Sequence, residues 1–144
     1  MKLKVISHTL LYAMIKVLLY IWQLPQNILG LLVILFTRAK NYSDIYIIKD
    51  PDNYKWFGVS LGNYIIFGNW PTRTSKQHEF GHHKQSKYLG PLYLLVIGLP
   101  SVLFNIWDRL FHKKWTNLKR LDWYYKLPWE HWADVLGGVE RRCI

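Results

Sequence analysis

The chain has 144 residues, a formal charge of +10, 51% hydrophobic and 17% aromatic residues, and one cysteine. That apolar content excludes a disordered chain, and the length suits a single active unit with its own core. Cys143 alone allows no intrachain disulfide and no cysteine-based metal site, so a bound metal has to be held by histidine and carboxylate; placed second from the end, it also forms no prenylation box.

A basic balance fits either nucleic acid or an anionic membrane. Trp and Tyr at the edges of the apolar runs favour the membrane, and no nucleic-acid-binding pattern is present, so a lipid membrane is the expected partner and no nucleic acid is expected. Residues 10–36, "LLYAMIKVLLYIWQLPQNILGLLVILF", are the longest apolar stretch, interrupted by Lys16 and by a polar break from Gln23 to Asn27 around Pro25. As one kinked helix it would reach roughly 40 Å and cross a bilayer; split at Pro25, it becomes a hairpin dipping into one leaflet, and both forms stay open. A cleaved signal peptide fits poorly, and lysines or arginines at both ends leave the orientation unset. Residues 1–40 are therefore expected to form a hydrophobic membrane anchor or hairpin, with Tyr12, Tyr20 and Trp22 suited to the interface, and residues 41–144 the functional domain.

From Asp44 onward, "DIYIIK", "KWFGVS" and "NYIIFG" are expected as short strands of a small antiparallel sheet, with turns at "DPDN" and "LGN". Thr72, Thr74 and Ser75 are candidate caps for a following helix of about four turns that Gly90-Pro91 stops. Residues 88–107 are a second uncharged apolar stretch, in which Pro91, Gly98 and Pro100 make a poor spanning helix; buried core is the favoured expectation over an apolar surface resting on the membrane. A basic, aromatic connection leads to "LPWEHWADVLGG", a short last helix with Pro128 in its first turn and Gly137-Gly138 at its end.

The first of these helices carries "HEFGH". Residues four apart share a helix face, so His78 and His82 can offer both imidazoles to one ion while Glu79 projects beside them. Zinc favours such a set, and Glu79 would be the general base for a metal-activated water in peptide hydrolysis. Three histidines on a basic helix are also compatible with simple solvation, and a third ligand separates the two cases. "EHWAD" supplies it: Glu130 and Asp134 share a face, so Glu130 can bind the ion while Asp134 accepts a hydrogen bond from a ligand histidine. His83 and His131 lie about 100° around their helices from the proposed ligands and point elsewhere; His8 and His112 have no partner at ligand spacing.

"HEFGH" with "EHWAD" resembles the gluzincin metallopeptidases, whose pattern is HExxH followed by a glutamate helix of the form ExxxD. A looser likeness links "HEFGHHKQSKYLGPLYLLVIGLPS" to metallopeptidase-like domains of bacterial Rhs-type polymorphic toxins, over about residues 58–137. The resemblance implies a small zincin-like α+β domain, zinc held by His78, His82 and Glu130, Glu79 as base, Asp134 behind the ligands, and a peptide or protein substrate paired along "NYIIFG". It also implies a bacterial cell membrane as the location, of open orientation. Larger gluzincins place an oxyanion donor well after the glutamate helix, whereas ten residues follow Asp134 here; Tyr64, Tyr124, Tyr125, His112, Arg141 and His131 are the candidates. Two other readings stand beside the enzyme: a non-catalytic membrane protein with a structural zinc clamp, and a toxin-type metallopeptidase domain. Oligomeric state is open.

Overall fold

A computed structural model describes residues 2–48 and 58–141, with side chains from His8 onward. The expected turn at residues 50–53, residues 55–57 of the second strand, and Cys143 lie outside the described residues. Among the described residues the fold is α+β, with six α-helices and a four-stranded sheet.

The first apolar stretch forms α1 (Lys2–Trp22) and α2 (Leu24–Thr37), bent by 81° at the joint. Pro25 enters α2 at a position that needs no amide donor. The polar break has a structural role: Gln23, Gln26 and Asn27 are fully buried. Gln26 donates through Nε2 to Ser86 Oγ at 3.0 Å and to the Gly90 carbonyl at 2.7 Å, and the Ser86 hydroxyl donates to Gln23 Oε1 at 2.9 Å. Asn27 Oδ1 accepts from the Asn63 amide at 2.8 Å. Removing any partner would leave a buried polar group unpaired at about 1–3 kcal/mol, so the joint is tied to the rest of the fold.

The strands are β1 (Lys40–Tyr42), β2 (Ile45–Ile47), β3 (Gly58–Leu61) and β4 (Tyr64–Phe67), in the order β1-β2-β4-β3. The sheet is mixed, which corrects the antiparallel expectation: β2 pairs parallel with β4, with Tyr46 opposite Ile66, while the β1–β2 and β3–β4 pairs are antiparallel. The reason is topological. The β3–β4 hairpin sets its second strand inward against β2 and its first strand at the edge. Ile45, Ile47, Ile65 and Phe67 alternate onto one face and cluster with Phe80; each such burial contributes about 1.5–3 kcal/mol. Gly30 of α2 packs on Tyr64 across the other face.

Helix α3 (Arg73–Leu89) starts at Thr72, whose hydroxyl accepts from the Ser75 amide at 3.1 Å, and ends at Gly90 with positive φ, as the capping residues predict. Next come a 3-10 turn (Gly90–Leu92), a π turn (Leu94–Gly98) and α4 (Leu99–Phe111). The expectation of buried core here is overturned. Tyr93, Ile97 and Asp108 are buried along one stripe, while Leu95, Leu99, Val102, Leu103, Ile106 and Trp107 are exposed, Leu95 by 65%. Helix α4 packs along the helix that follows it and reaches the last helix through Ser101 on Glu130 and Phe104 on Trp129, which covers one stripe only. Leu94–Phe111 is the one stretch among the described residues long and apolar enough to cross a membrane unaided; the N-terminal helices qualify only as a bent pair.

The basic connection contains a helix that its sequence signals understated, α5 (Asn117–Tyr125), capped by the Thr116 hydroxyl accepting from the Lys119 amide. The last helix, α6 (Pro128–Gly137), has Pro128 and Gly138 at the expected ends. Helices α3 and α6 make the most extensive contact between elements, and glycine permits it: a Cβ on Gly81 would strike the Ala133 carbonyl, and one on Gly137 the Gln77 carbonyl. Gly81→Ala should cost about 3 kcal/mol because backbone opposes the added methyl, whereas Gly138→Ala, which meets nothing within 4 Å, should cost about 1 kcal/mol through its positive φ alone. Thermal unfolding of the two variants checks the order.

Candidate metal centre

Close packing of α3 on α6 brings His78, His82 and Glu130 to one point. His78 Nε2 lies 3.1 Å from His82 Nε2 and 3.1 Å from Glu130 Oε2, and His82 Nε2 lies 3.2 Å from the same oxygen. All three residues are buried, Glu130 being 1% exposed. Ligands at tetrahedral zinc distances of about 2.0–2.1 Å stand about 3.4 Å apart, so this near-equilateral triangle has the size of one face of such a shell. The group can hold a metal ion.

The outward nitrogens are fixed by hydrogen bonds. His78 Nδ1 donates to Asp134 Oδ1 at 2.7 Å, and Asp134 is held in turn by Arg141, which donates through Nε to Oδ2 and through Nη2 to Oδ1 at 2.9 Å. His82 Nδ1 donates to Gln85 Oε1 at 2.7 Å, and Gln85 Nε2 donates to the Trp129 carbonyl at 2.8 Å. Both imidazoles are thereby oriented with Nε2 toward the centre. The second oxygen of Glu130, Oε1, accepts from Ser101 Oγ at 2.6 Å and from the Tyr124 hydroxyl at 3.0 Å, leaving Oε2 for the histidines.

Glu79 stands beside the triangle. Its Oε2 is buried with no hydrogen-bond partner, and a Cβ on Gly58 would come within 2.7 Å of Oε1, so the carboxyl faces the first residue of β3. Burial raises its pKa, opposed by the charges of His82 and His78. For Glu130 and Asp134 burial acts in the same direction but loses: hydrogen bonds from His78 and His82 hold Glu130 below the usual carboxylate range, and those from His78 and Arg141 lower Asp134. Burial opposes a charge on His78, yet its bonds to Asp134 and Glu130 win and raise it to about 9.

The structure brings together every residue that the two motifs nominated: His78, Glu79, His82, Glu130 and Asp134. Of the oxyanion candidates, Tyr124, Tyr125 and Arg141 reach the centre; the Tyr125 ring stands edge-on to His78 at 5.1 Å, under the Arg141 guanidinium at 3.2 Å. Tyr64 packs on α2, His112 pairs with Asp108, and His131 is exposed. His83 ties α3 to the β3–β4 turn, its Nδ1 donating to the Gly62 carbonyl at 2.6 Å. Gln85 and Ser101 had no assigned role from the sequence. Gln85 was findable, three residues after His82 on the same face; Ser101 reaches Glu130 only through the tertiary fold.

Comparison of the chain with family models, with curated proteins and with solved structures found no match in any of the three.

An ion binding here must displace the proton that His78 holds below about pH 9. Zinc affinity should therefore weaken about tenfold for each pH unit from 8 to 7, a range in which a histidine of ordinary pKa near 6.5 gives almost no slope. Chelator competition at the two pH values measures it.

Proposed function

We propose that the chain is a membrane-associated zinc metallopeptidase that hydrolyses peptide bonds. The observation that carries this reading is the buried triangle of two imidazole nitrogens and one carboxylate oxygen with the Glu79 carboxyl beside it, whose buried Oε2 has no hydrogen-bond partner. A clamp needs the triangle alone; a hydrolase also needs a base.

Zinc held there supplies Lewis acidity toward water and toward the scissile carbonyl. His78, His82 and Glu130 would hold the ion, and Asp134 and Gln85 orient both imidazoles so that their Nε2 atoms face its position. Glu79 takes a proton from the attacking water and passes it to the departing amine, so that an amide and water become a carboxylic acid and an amine; its raised pKa suits both halves of that transfer. Burial raises the Tyr125 pKa, keeping its phenol protonated as the donor we assign to the developing oxyanion; Tyr124 already spends its hydroxyl on Glu130.

The substrate strand is β3 and not β4, because "NYIIFG" forms β4, which is paired on both sides by β2 and β3. The exposed end of β3 at Gly58 stands next to Glu79 and can meet an extended peptide there, whereas further along the strand the Ser60 carbonyl accepts from the Tyr93 hydroxyl at 3.0 Å. Membrane association is supported by the exposed apolar faces of α1, α2 and α4.

The structural-clamp alternative is disfavoured because the backbones of α3 and α6 already touch at Gly81 and Gly137. Glu79→Gln should keep its zinc and lose about 10²–10⁴ in kcat on peptide substrates, and Tyr125→Phe should lower kcat about 10²-fold with KM little changed. A wild type that holds zinc and cleaves no peptide from a random library would leave the clamp.

A further inference from the structure

The elbow between α4 and α5 gathers cations and rings that the metal centre does not use. Asp108, the only acidic residue between positions 107 and 121, is buried there. It accepts from Arg120 Nε and Nη2 at 2.9 and 2.6 Å and from His112 Nδ1 at 2.9 Å, so its charge is spent inside the elbow. The His112 ring stacks on Trp115 with centroids 3.8 Å apart, and the Lys119 ammonium stands 4.3 Å from the same indole. This brace fixes the shape of the turn. Around it, Arg109, Lys113, Lys114 and the Lys119 of the brace are exposed, and on the same two helices Trp107, Leu110, Phe111, Leu118 and Leu121 are exposed, Phe111 by 63%.

We propose that the α4–α5 elbow is a docking surface for an anionic phospholipid bilayer. The proposal rests on the reading of the chain as membrane-associated and adds the place of contact and the headgroup charge it requires. Ammonium and guanidinium groups complement lipid phosphates, while indole and phenyl rings settle at the acyl boundary between them. A nucleic-acid surface would carry the same charge, but the exposed Leu110, Phe111, Leu118 and Leu121 beside these cations suit an acyl boundary and not a phosphate backbone.

The elbow lies in the interface and does not pass through the bilayer. Helix α5 folds back along α4, with Arg120 on Asp108 and the Tyr124 hydroxyl 3.4 Å from the Ser101 carbonyl. A full crossing by Leu94–Phe111 would therefore draw Lys119, Asp122 and Lys126 into hydrocarbon, where charges are costly. The docked helix also carries Ser101, which donates to ligand Glu130, so the bilayer contact and the metal centre share one rigid element.

The test uses the full chain with Cys143→Ser and Leu110→Cys, labelled at the new thiol with an environment-sensitive fluorophore. It is mixed with vesicles of phosphatidylcholine, or of phosphatidylcholine with about one-third phosphatidylglycerol. The expected result is a blue shift with the anionic vesicles and a preference for them that falls about fivefold for each lysine neutralised, hence at least about 25-fold in Lys113→Glu/Lys114→Glu. Equal shifts with both vesicles, unchanged in the charge-reversed variant, would overturn the anionic requirement. Co-sedimentation with vesicles but no shift at position 110 would overturn the elbow while leaving membrane association standing; no co-sedimentation at all would overturn both. A shift produced by RNA and not by vesicles would reassign the surface to nucleic acid.

Discussion

Everything around the centre follows from burying the carboxylate of Glu130. A lone ionised carboxylate in that position would cost several kcal/mol, so its neighbours are arranged to keep it paired. Two histidines meet Oε2, and the hydroxyls of Ser101 and Tyr124 donate to Oε1. Those four partners come from α3, α4 and α5. Satisfying one oxygen pair therefore fixes three helices against α6, and the glycine contacts of Gly81 and Gly137 set how close the helices must be for the bonds to close.

The rest of the interior repeats this economy. Its largest fully buried side chains include Gln23, Gln26, Asn27, Gln85 and Glu130, while the apolar cluster under the sheet is four buried residues with Phe80 against them. A core of this kind derives specificity from hydrogen-bond geometry, since half-satisfied networks are worse than apolar packing. Apolar surface is left over, and it goes outward on α1, α2 and α4. The proposed membrane association rests on that distribution, with the polar centre inside and apolar faces outside.

The parts of this arrangement that sequence discloses are those set by helical periodicity and by caps. The spacing of His78 and His82, and of Glu130 and Asp134, fixes which side chains share a face, and Thr72, Pro128 and Gly138 fix where those helices begin or end. What periodicity cannot carry is the partnering of faces. The mixed sheet depends on which hairpin strand lies inward, and hydrophobic alternation is the same for either choice. Residues 88–107 are apolar enough for a core, but their burial depends on what surface the fold presents to them, and most of their apolar side chains stay exposed. The break from Gln23 to Asn27 looks in sequence like a flaw in an anchor; its buried amides become intelligible only with Ser86, Gly90 and Asn63 in place.

The central claim is that His78, His82 and Glu130 together bind one zinc ion, and elemental analysis of detergent-purified protein tests it most directly. The account predicts close to one zinc per chain in the wild type and a sharp fall in Glu130→Ala, with the fold retained by circular dichroism. No zinc in the wild type after reloading, or equal zinc in wild type and Glu130→Ala, would contradict it.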